Sequence, residues 1–121
     1  MEVTKVDFVG IPATDIERSI DFYVGTLGLR QDKHRDAEFW AGETCLGLWK
    51  PEWAGQEFKP SETCVLALHV ADVTASRREL EEKGVRFVGD IIDSGVCQMA
   101  IFKDPDGNAL MLHHRYKPYE S

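Results

Sequence analysis

The sequence is poor in cysteine and has no long hydrophobic run. Its three cysteines, Cys45, Cys64 and Cys97, include no CxxC pair. An odd count without paired spacing argues against a disulfide framework and favours free thiols in a reducing compartment. The apolar runs are strand-sized, far shorter than a membrane span, and the opening residues MEVTKVDF contain no signal-peptide core. We therefore expect a soluble, cytoplasmic protein.

Basic residues are also scarce. There are 14 Lys and Arg against 21 Asp and Glu, a net charge of −7. Nucleic-acid affinity depends largely on Lys and Arg that neutralise phosphates, so the balance argues against a nucleic-acid partner. The sequence contains no GxSxG and no phosphate loop, which leaves hydrolase and nucleotide-binding functions unsupported. With 121 residues, 43% of them hydrophobic, the chain is long enough for one domain with its own core.

What the sequence does contain is a repeated unit. A strand followed by an acidic cap and a charged helix occurs at residues 6 to 29 and again at 65 to 85. Phe8 precedes Asp15 by seven residues, as Val65 precedes Asp72. Such a period predicts two copies of one structural unit. We assign a single domain at 1–121 with module one at 3–50, a linker at 51–63, module two at 64–114 and a tail at 115–121.

Each module is predicted to contain a strand, a helix and three further strands. In module one, Thr14 with Glu17 three residues later is a capping-box pattern that predicts a helix start. Apolar residues then recur at helical spacing and predict its buried face: Ile16, Ile20, Val24 and Leu27. The strands of this module are expected at 3–12, 29–34, 38–40 and 44–50.

In module two, Asp72 is predicted to cap a helix that Gly84 ends. The segment DPDGN is a dense turn signal, in which the side chains of Asp104 and Asp106 are expected to cap backbone amides. The strands are expected at 64–70, 85–92, 96–102 and 109–114.

The linker carries two large aromatic residues, Trp53 and Phe58, between prolines. Two interpretations stay open. The rings could form a lid over a ligand, or they could anchor the linker or a dimer contact, because aromatic residues are suited to both roles.

The segments IPATDIERSIDFYVGTLGL, ADVTASRRELEEKGV and FKDPDGNALML, in this order, resemble the vicinal oxygen chelate superfamily. This group contains glyoxalases, bleomycin-resistance proteins and extradiol dioxygenases. The resemblance covers nearly the whole chain. It implies an α+β fold in which two tandem βαβββ modules curve their mixed sheets around one cavity, in a protein that is expected to be a homodimer.

The resemblance also implies where a metal would be held, namely on the first and last strand of each module. In this sequence those four positions fall on Phe8, Gly47, Val65 and Met111. A divalent metal needs nitrogen, oxygen or thiolate donors, and these side chains offer at most a thioether. We therefore predict no metal and no other cofactor. The family's metal-dependent isomerisation, thiol transfer and dioxygenation are placed in doubt.

The function that needs no metal is the binding of a small, partly aromatic organic ligand, for resistance or sequestration. We predict this function. Phe8 would enlarge the aromatic share of the pocket. For Val65 and Met111, simple core packing is the favoured interpretation. Strand alternation places four further residues on the same sheet faces as the implied metal positions: Cys45, Trp49, His69 and His113.

An alternative is an enzyme of the same fold, of the lyase, isomerase or dioxygenase type. His69 and His113 lie on strands expected to be parallel neighbours, so they could approach each other. They would act as general acid and base groups, or would hold a displaced metal together with the Cys45 thiolate. A pair of solvent-reaching histidines is the simpler interpretation.

Overall fold

The computed structural model describes residues 1–64 and 66–118. The chain forms two compact units, Met1–Lys59 and a second that begins at Pro60. Each unit contains one mixed four-stranded sheet and one α-helix, which confirms the α+β class and the two tandem modules. The boundary falls inside the predicted linker. Within the described ranges, no helix is long and apolar enough to cross a membrane.

The first unit has the strand order β1-β4-β3-β2, with β1 parallel to β4 and the other pairs antiparallel. A π-helical segment, Asp21–Thr26, continues its α-helix, and a 3₁₀ helix, Pro51–Ala54, follows its last strand. Its regular elements are β1 (Val9–Pro12), α1 (Ile16–Ile20), β2 (Arg30–Gln31), β3 (Glu38–Ala41) and β4 (Thr44–Trp49).

The start of α1 differs from the prediction. Asp15, in an extended conformation, is the N-cap, and its side chain accepts a hydrogen bond from the backbone N–H of Arg18 at 3.2 Å. Thr14 lies one residue further out, where its hydroxyl accepts from the Arg18 guanidinium at 3.3 Å. The Thr14 capping box is therefore wrong, whereas the acidic cap predicted for the repeated unit is confirmed at Asp15. The carboxylate of Asp15 satisfies the helix-end amide instead.

The buried face of this helix also differs. The four predicted apolar positions are only half-buried, whereas Ser19 and Tyr23 are both 0% exposed. The Tyr23 ring stacks on Phe39 of β3, with the centroids 4.9 Å apart and the planes 13° apart. After Ile20 the backbone bonds run from i to i+5, so the α-helical period no longer predicts which side chains face the sheet.

The second unit has the strand order β5-β8-β7-β6. Asp72 caps its helix as predicted, because its carboxylate accepts from the backbone N–H of Ala75 at 2.9 Å. Gly84 follows the helix with a φ of 88°, the left-handed conformation predicted for it. Its elements are β5 (Ala67–His69), α2 (Val73–Glu82), β6 (Phe87–Asp93), β7 (Cys97–Lys103) and β8 (Ala109–Arg115).

The DPDGN turn between β7 and β8 is built around one buried carboxylate. One oxygen of Asp104 accepts from the backbone N–H groups of Asp106 and Asn108, both at 2.9 Å, and the other accepts from the Asn108 side-chain amide at 2.8 Å. The side-chain oxygen of Asn108, Oδ1, in turn accepts from the backbone N–H of Ser61 at 2.8 Å. The predicted capping role of Asp104 is confirmed, and the turn also fastens the chain that leads into β5.

Candidate functional site

The register of the first sheet shows which side chains share a face. Gly47 of β4 lies opposite Gly10 of β1 on one side and opposite Glu38 of β3 on the other. Directly opposed residues point to the same side of a sheet. The alternate residues, including Phe39 and Leu46, are buried in the core. The remaining face, which we call the aromatic face, carries Phe8, Gly10, Glu38, Trp40, Cys45, Gly47 and Trp49.

Two aromatic rings lie against the two glycines of the aromatic face. A Cβ atom on Gly47 would stand 3.3 Å from the Phe8 ring, and one on Gly10 would stand 3.1 Å from the indole nitrogen of Trp49 and 3.8 Å from the Phe8 ring. Any side chain at either glycine would therefore press on a ring. Phe8 is 55% exposed, so its outer surface is open to a ligand.

Glu38 places a carboxylate beside these rings. Its Cγ lies 3.8 Å from the position that a Gly47 Cβ would occupy, so its stem leans over the same glycine as Phe8. One carboxylate oxygen lies 3.9 Å from the Cys45 thiol and the other lies 3.6 Å from Nε of Arg35. The Glu38 side chain is 32% exposed and that of Arg35 is 76% exposed. The carboxylate is thus partly enclosed, and its charged partner Arg35 is largely exposed.

Trp40 extends the aromatic face towards β2. Its indole N–H donates to Asp32 at 3.0 Å, and the Arg30 guanidinium lies 5.7 Å from its ring centroid. The second oxygen of Asp32 accepts from the backbone N–H groups of His34 and Arg35 at 3.0 and 3.1 Å. These bonds, that of Trp40 first, hold the pKa of Asp32 below its ordinary value. An open cleft of about 350 Å³ lies here, lined by Arg30, Asp32, Lys33, His34, Trp40, Gly42 and Glu43.

The pKa of the Cys45 thiol depends on the electrostatic environment of the aromatic face. Burial raises the pKa of Cys45 first, and the negative charges of Glu38 and Asp32 raise it further. Because only the thiolate is a good nucleophile or metal ligand, the side chain stays a protonated thiol at neutral pH. A role for Cys45 as a thiolate is disfavoured by its own surroundings.

Glu38→Gln is expected to make Cys45 more reactive. Removal of one carboxylate lowers the pKa of the thiol, so its alkylation by iodoacetamide at pH 8 should accelerate by about threefold. Peptide mapping separates Cys45 from the other two cysteines. Asp36→Asn is the matched control, because Asp36 is exposed and the charge change is the same. Equal acceleration in both variants would show that only net charge is being sensed.

The second sheet brings His69 and His113 side by side. They are direct partners in the parallel pair of β5 and β8, as the order of strands predicted. Among the described residues, however, the ring that contacts His69 is that of His114, with the centroids 5.7 Å apart and the planes tilted by 39°. The register places His114 opposite Gln98, and its Nδ1 lies 3.1 Å from the Val70 carbonyl oxygen. Met111 is half-buried opposite Ala67 and Ile101.

The positions where the family resemblance implies a metal do not fit one. Phe8 and Gly47 have no donor atom, Met111 offers only a thioether, and Val65 lies outside the described residues. Across the part of the chain that is described, no three His, Cys, Asp or Glu side chains form a group that could hold a metal ion. Absence of a metal remains a prediction.

The two linker aromatics differ in exposure. Trp53 lies in the 3₁₀ helix Pro51–Ala54 and is 67% exposed, whereas Phe58 is half-buried. A ring that is this exposed contributes little to anchoring the linker on its own module. A lid role for Trp53 and Phe58 stays a prediction.

The sequence alone assigned no role to Glu38 and no sheet face to Trp40. A signal for both was present. Ala41 pairs with Thr44, so the hairpin turns on two residues, and the first of them, Gly42, has a φ of 62°. A two-residue turn fixes the register of both strands. Counting back from Gly42 would have placed Trp40 opposite Cys45, and Glu38 opposite Gly47.

Comparison with known proteins gives one family. The family model described as the Glyoxalase/Bleomycin resistance protein/Dioxygenase superfamily matches residues 5–112. No curated protein matches the sequence.

Three solved structures illustrate the similarity. A member of this superfamily from Sphaerobacter thermophilus DSM 20745 is 26% identical, with a TM-score of 0.78 over 92% of this chain and 97% of that one. TnmS3, described as an antibiotic binding protein from Streptomyces sp. CB03234, is 29% identical, with a TM-score of 0.75 over 95% and 98% of the two chains. A glyoxalase/bleomycin resistance protein from Streptomyces sp. CB03234 is 29% identical, with a TM-score of 0.68 over 88% and 97%.

Proposed function

We propose that this chain, which belongs to the Glyoxalase/Bleomycin resistance protein/Dioxygenase superfamily, binds a small, partly aromatic organic molecule on the aromatic face of its first module. The observation that carries the proposal is the packing of the Phe8 and Trp49 rings against Gly10 and Gly47. Small-molecule sites are typically lined by apolar and aromatic side chains with a few polar groups that orient the ligand. The aromatic face has this composition.

The physical basis of binding would be stacking on the open surface of Phe8, which is 55% exposed, and against the half-buried Trp49. Offset stacking of aromatic rings adds about 0.5–1.5 kcal/mol to the burial of their area. A ligand of about 25 heavy atoms that gains about 0.3 kcal/mol per atom would bind with a micromolar dissociation constant. That affinity is sufficient for sequestration when the protein is abundant.

The similarity to TnmS3 supports a role in resistance or sequestration. That protein is described as antibiotic binding, and this chain covers 98% of it at 29% identity. The donor-free side chains of Phe8 and Gly47 support a binding role over metal-dependent turnover. The ligand of this chain is proposed only by its chemistry: flat, partly aromatic and small.

Trp49→Ala tests the proposal. Calorimetric titration of the wild type with planar tricyclic probes should give micromolar binding, and the variant should bind at least about tenfold more weakly, because a central aromatic contact is lost. Tyr116→Ala, which removes a ring that is 44% exposed in the second unit, should bind as the wild type does.

Trp53→Ala in the same titration tests the lid, since a lid residue would weaken binding when it is truncated. Binding that is unchanged in both Trp49→Ala and Phe8→Ala would contradict the proposed site.

An enzyme that uses His69 and His113 is the second candidate. The direct pairing of these residues across β5 and β8 favours it, because two imidazoles on neighbouring strands could share a substrate proton. Against it stands the contact of the His69 ring with His114 instead of with a carboxylate that would orient it. The binding function is therefore the better supported of the two.

Three further expectations remain predictions: absence of a cofactor, cytoplasmic location and a homodimer. The homodimer has some support from the apolar side chains that the N-terminal segment leaves in solvent. They are Met1, Val3 and Val6, each more than half exposed.

A further inference from the structure

We propose that the aromatic face selects planar aromatic cations, and that Glu38 is the specificity-determining residue that binds the cationic nitrogen of the ligand. This inference rests on the proposed function and names the ligand class of the same site. The inference is based on the position of the Glu38 carboxylate, its present contacts and the charged groups near it.

The position of Glu38 suits a ligand that stacks on the rings. Its stem lies 3.8 Å from the Cβ position of Gly47, where the Phe8 ring lies at 3.3 Å. A ring that stacks on Phe8 would therefore have the Glu38 side chain at its edge. A protonated amine or amidine at that edge would make a charge-assisted hydrogen bond to Glu38. The same positive charge would be attracted by the faces of Phe8 and Trp49.

The charged partner of Glu38, Arg35, can be displaced. Arg35 approaches the carboxylate at 3.6 Å with a side chain that is 76% exposed. Exposed ion pairs of this kind contribute little, because solvent screens them and a long side chain must be held in place. A rigid cation that is already positioned by stacking loses less conformational entropy when it binds. The ligand nitrogen would replace Arg35, which then returns to solvent.

The second carboxylate near the rings, Asp32, is already occupied. Both of its oxygens accept hydrogen bonds, one from the Trp40 indole and the other from the backbone N–H groups of His34 and Arg35. The contacts of the Glu38 oxygens are longer, at 3.9 Å to the Cys45 thiol and 3.6 Å to Nε of Arg35, so Glu38 is the better placed of the two to bind a ligand. Burial raises the pKa of the neighbouring Cys45 thiol, and the negative charges of Glu38 and Asp32 raise it further, which agrees with two ionised carboxylates close to this face.

The test uses two planar tricyclic probes at neutral pH, cationic proflavine and neutral acridone, in calorimetric titrations of the full chain. The wild type should bind proflavine about tenfold more tightly than acridone. Glu38→Gln should remove this preference, because proflavine loses its charged partner and should bind about tenfold more weakly. Asp36→Asn, an equal loss of charge at an exposed residue two positions away, should keep it.

Two further measurements separate recognition of the cation from a structural effect. Added sodium chloride should weaken proflavine binding to the wild type and should affect Glu38→Gln much less, because screening acts on the charge pair. Glu38→Asp, which keeps the charge on a shorter stem, should retain part of the preference.

Equal binding of the two probes by the wild type, or a preference that survives in Glu38→Gln, would overturn the inference. If acridone still binds in a manner sensitive to Trp49→Ala, the proposed function stands without it. If neither probe binds to the wild type, both proposals fail.

Discussion

Asp104→Ala is expected to lower the free energy of unfolding by about 3 kcal/mol, since a buried carboxylate that accepts several hydrogen bonds is lost. Asp104 is 5% exposed and holds the backbone N–H groups of Asp106 and Asn108 together with the Asn108 amide. Without it, Asn108, which is 3% exposed, keeps Ser61 as a partner but loses the carboxylate that orients it. Urea denaturation followed by circular dichroism measures the change.

Asp90→Ala is the control for this loss. Asp90 is exposed in β6, so its removal should change the free energy of unfolding by no more than about 0.5 kcal/mol. Asp104→Asn should fall between the two, because the amide keeps one acceptor oxygen. If Asp104→Ala cost less than about 1 kcal/mol, the turn would be held by its backbone alone and the side-chain network would contribute little.

The DPDGN turn also shows what kind of signal is reliable in this sequence. The capping roles of Asp104 and Asp72 were predicted correctly because a carboxylate at such a position binds backbone groups a few residues away. Such short-range hydrogen bonds depend on residues that are neighbours in the sequence, so the sequence predicts them. The same is true of Gly84, whose positive φ ends the second helix.

Predictions that depend on distant partners were poorer. The strand expected at 29–34 is only Arg30–Gln31, because the Asp32 carboxylate binds the N–H groups of His34 and Arg35 and turns the chain. The strand expected at 3–12 is only Val9–Pro12, the stretch that pairs with β4. Whether a segment pairs as a β-strand depends on residues that are distant in the sequence. The composition of the segment itself does not reveal it.

The residues of the candidate site show the same difference between local and long-range signals. Phe8 and Trp49 follow from the offset between the modules and from alternation along β4, and the structure places both rings against glycine backbone. Glu38 and Trp40 depend on the pairing of two strands, so they become visible only when the hairpin register is known. The register of a sheet determines which of two consecutive side chains meets a ligand and which enters the core.

Phe39→Ala and Trp40→Ala, on consecutive residues of β3, should therefore differ sharply in stability. Phe39 is 0% exposed and stacks on Tyr23, so its truncation should cost about 4 kcal/mol through lost burial and a cavity. Trp40 is half-buried on the aromatic face, and its truncation should cost about 1 kcal/mol, chiefly the hydrogen bond to Asp32. Thermal and urea unfolding of both variants measures the difference.

Phe39→Leu provides the control for cavity size. It keeps most of the apolar volume, so it should cost about 1–2 kcal/mol, and the remaining loss in Phe39→Ala then belongs to the cavity. A larger loss in Trp40→Ala than in Phe39→Ala would mean that β3 is shifted by one residue, because a one-residue slip exchanges the two faces of a strand. Glu38 would then turn away from Phe8 and Trp49, and the proposed recognition of a cation would fall with the register.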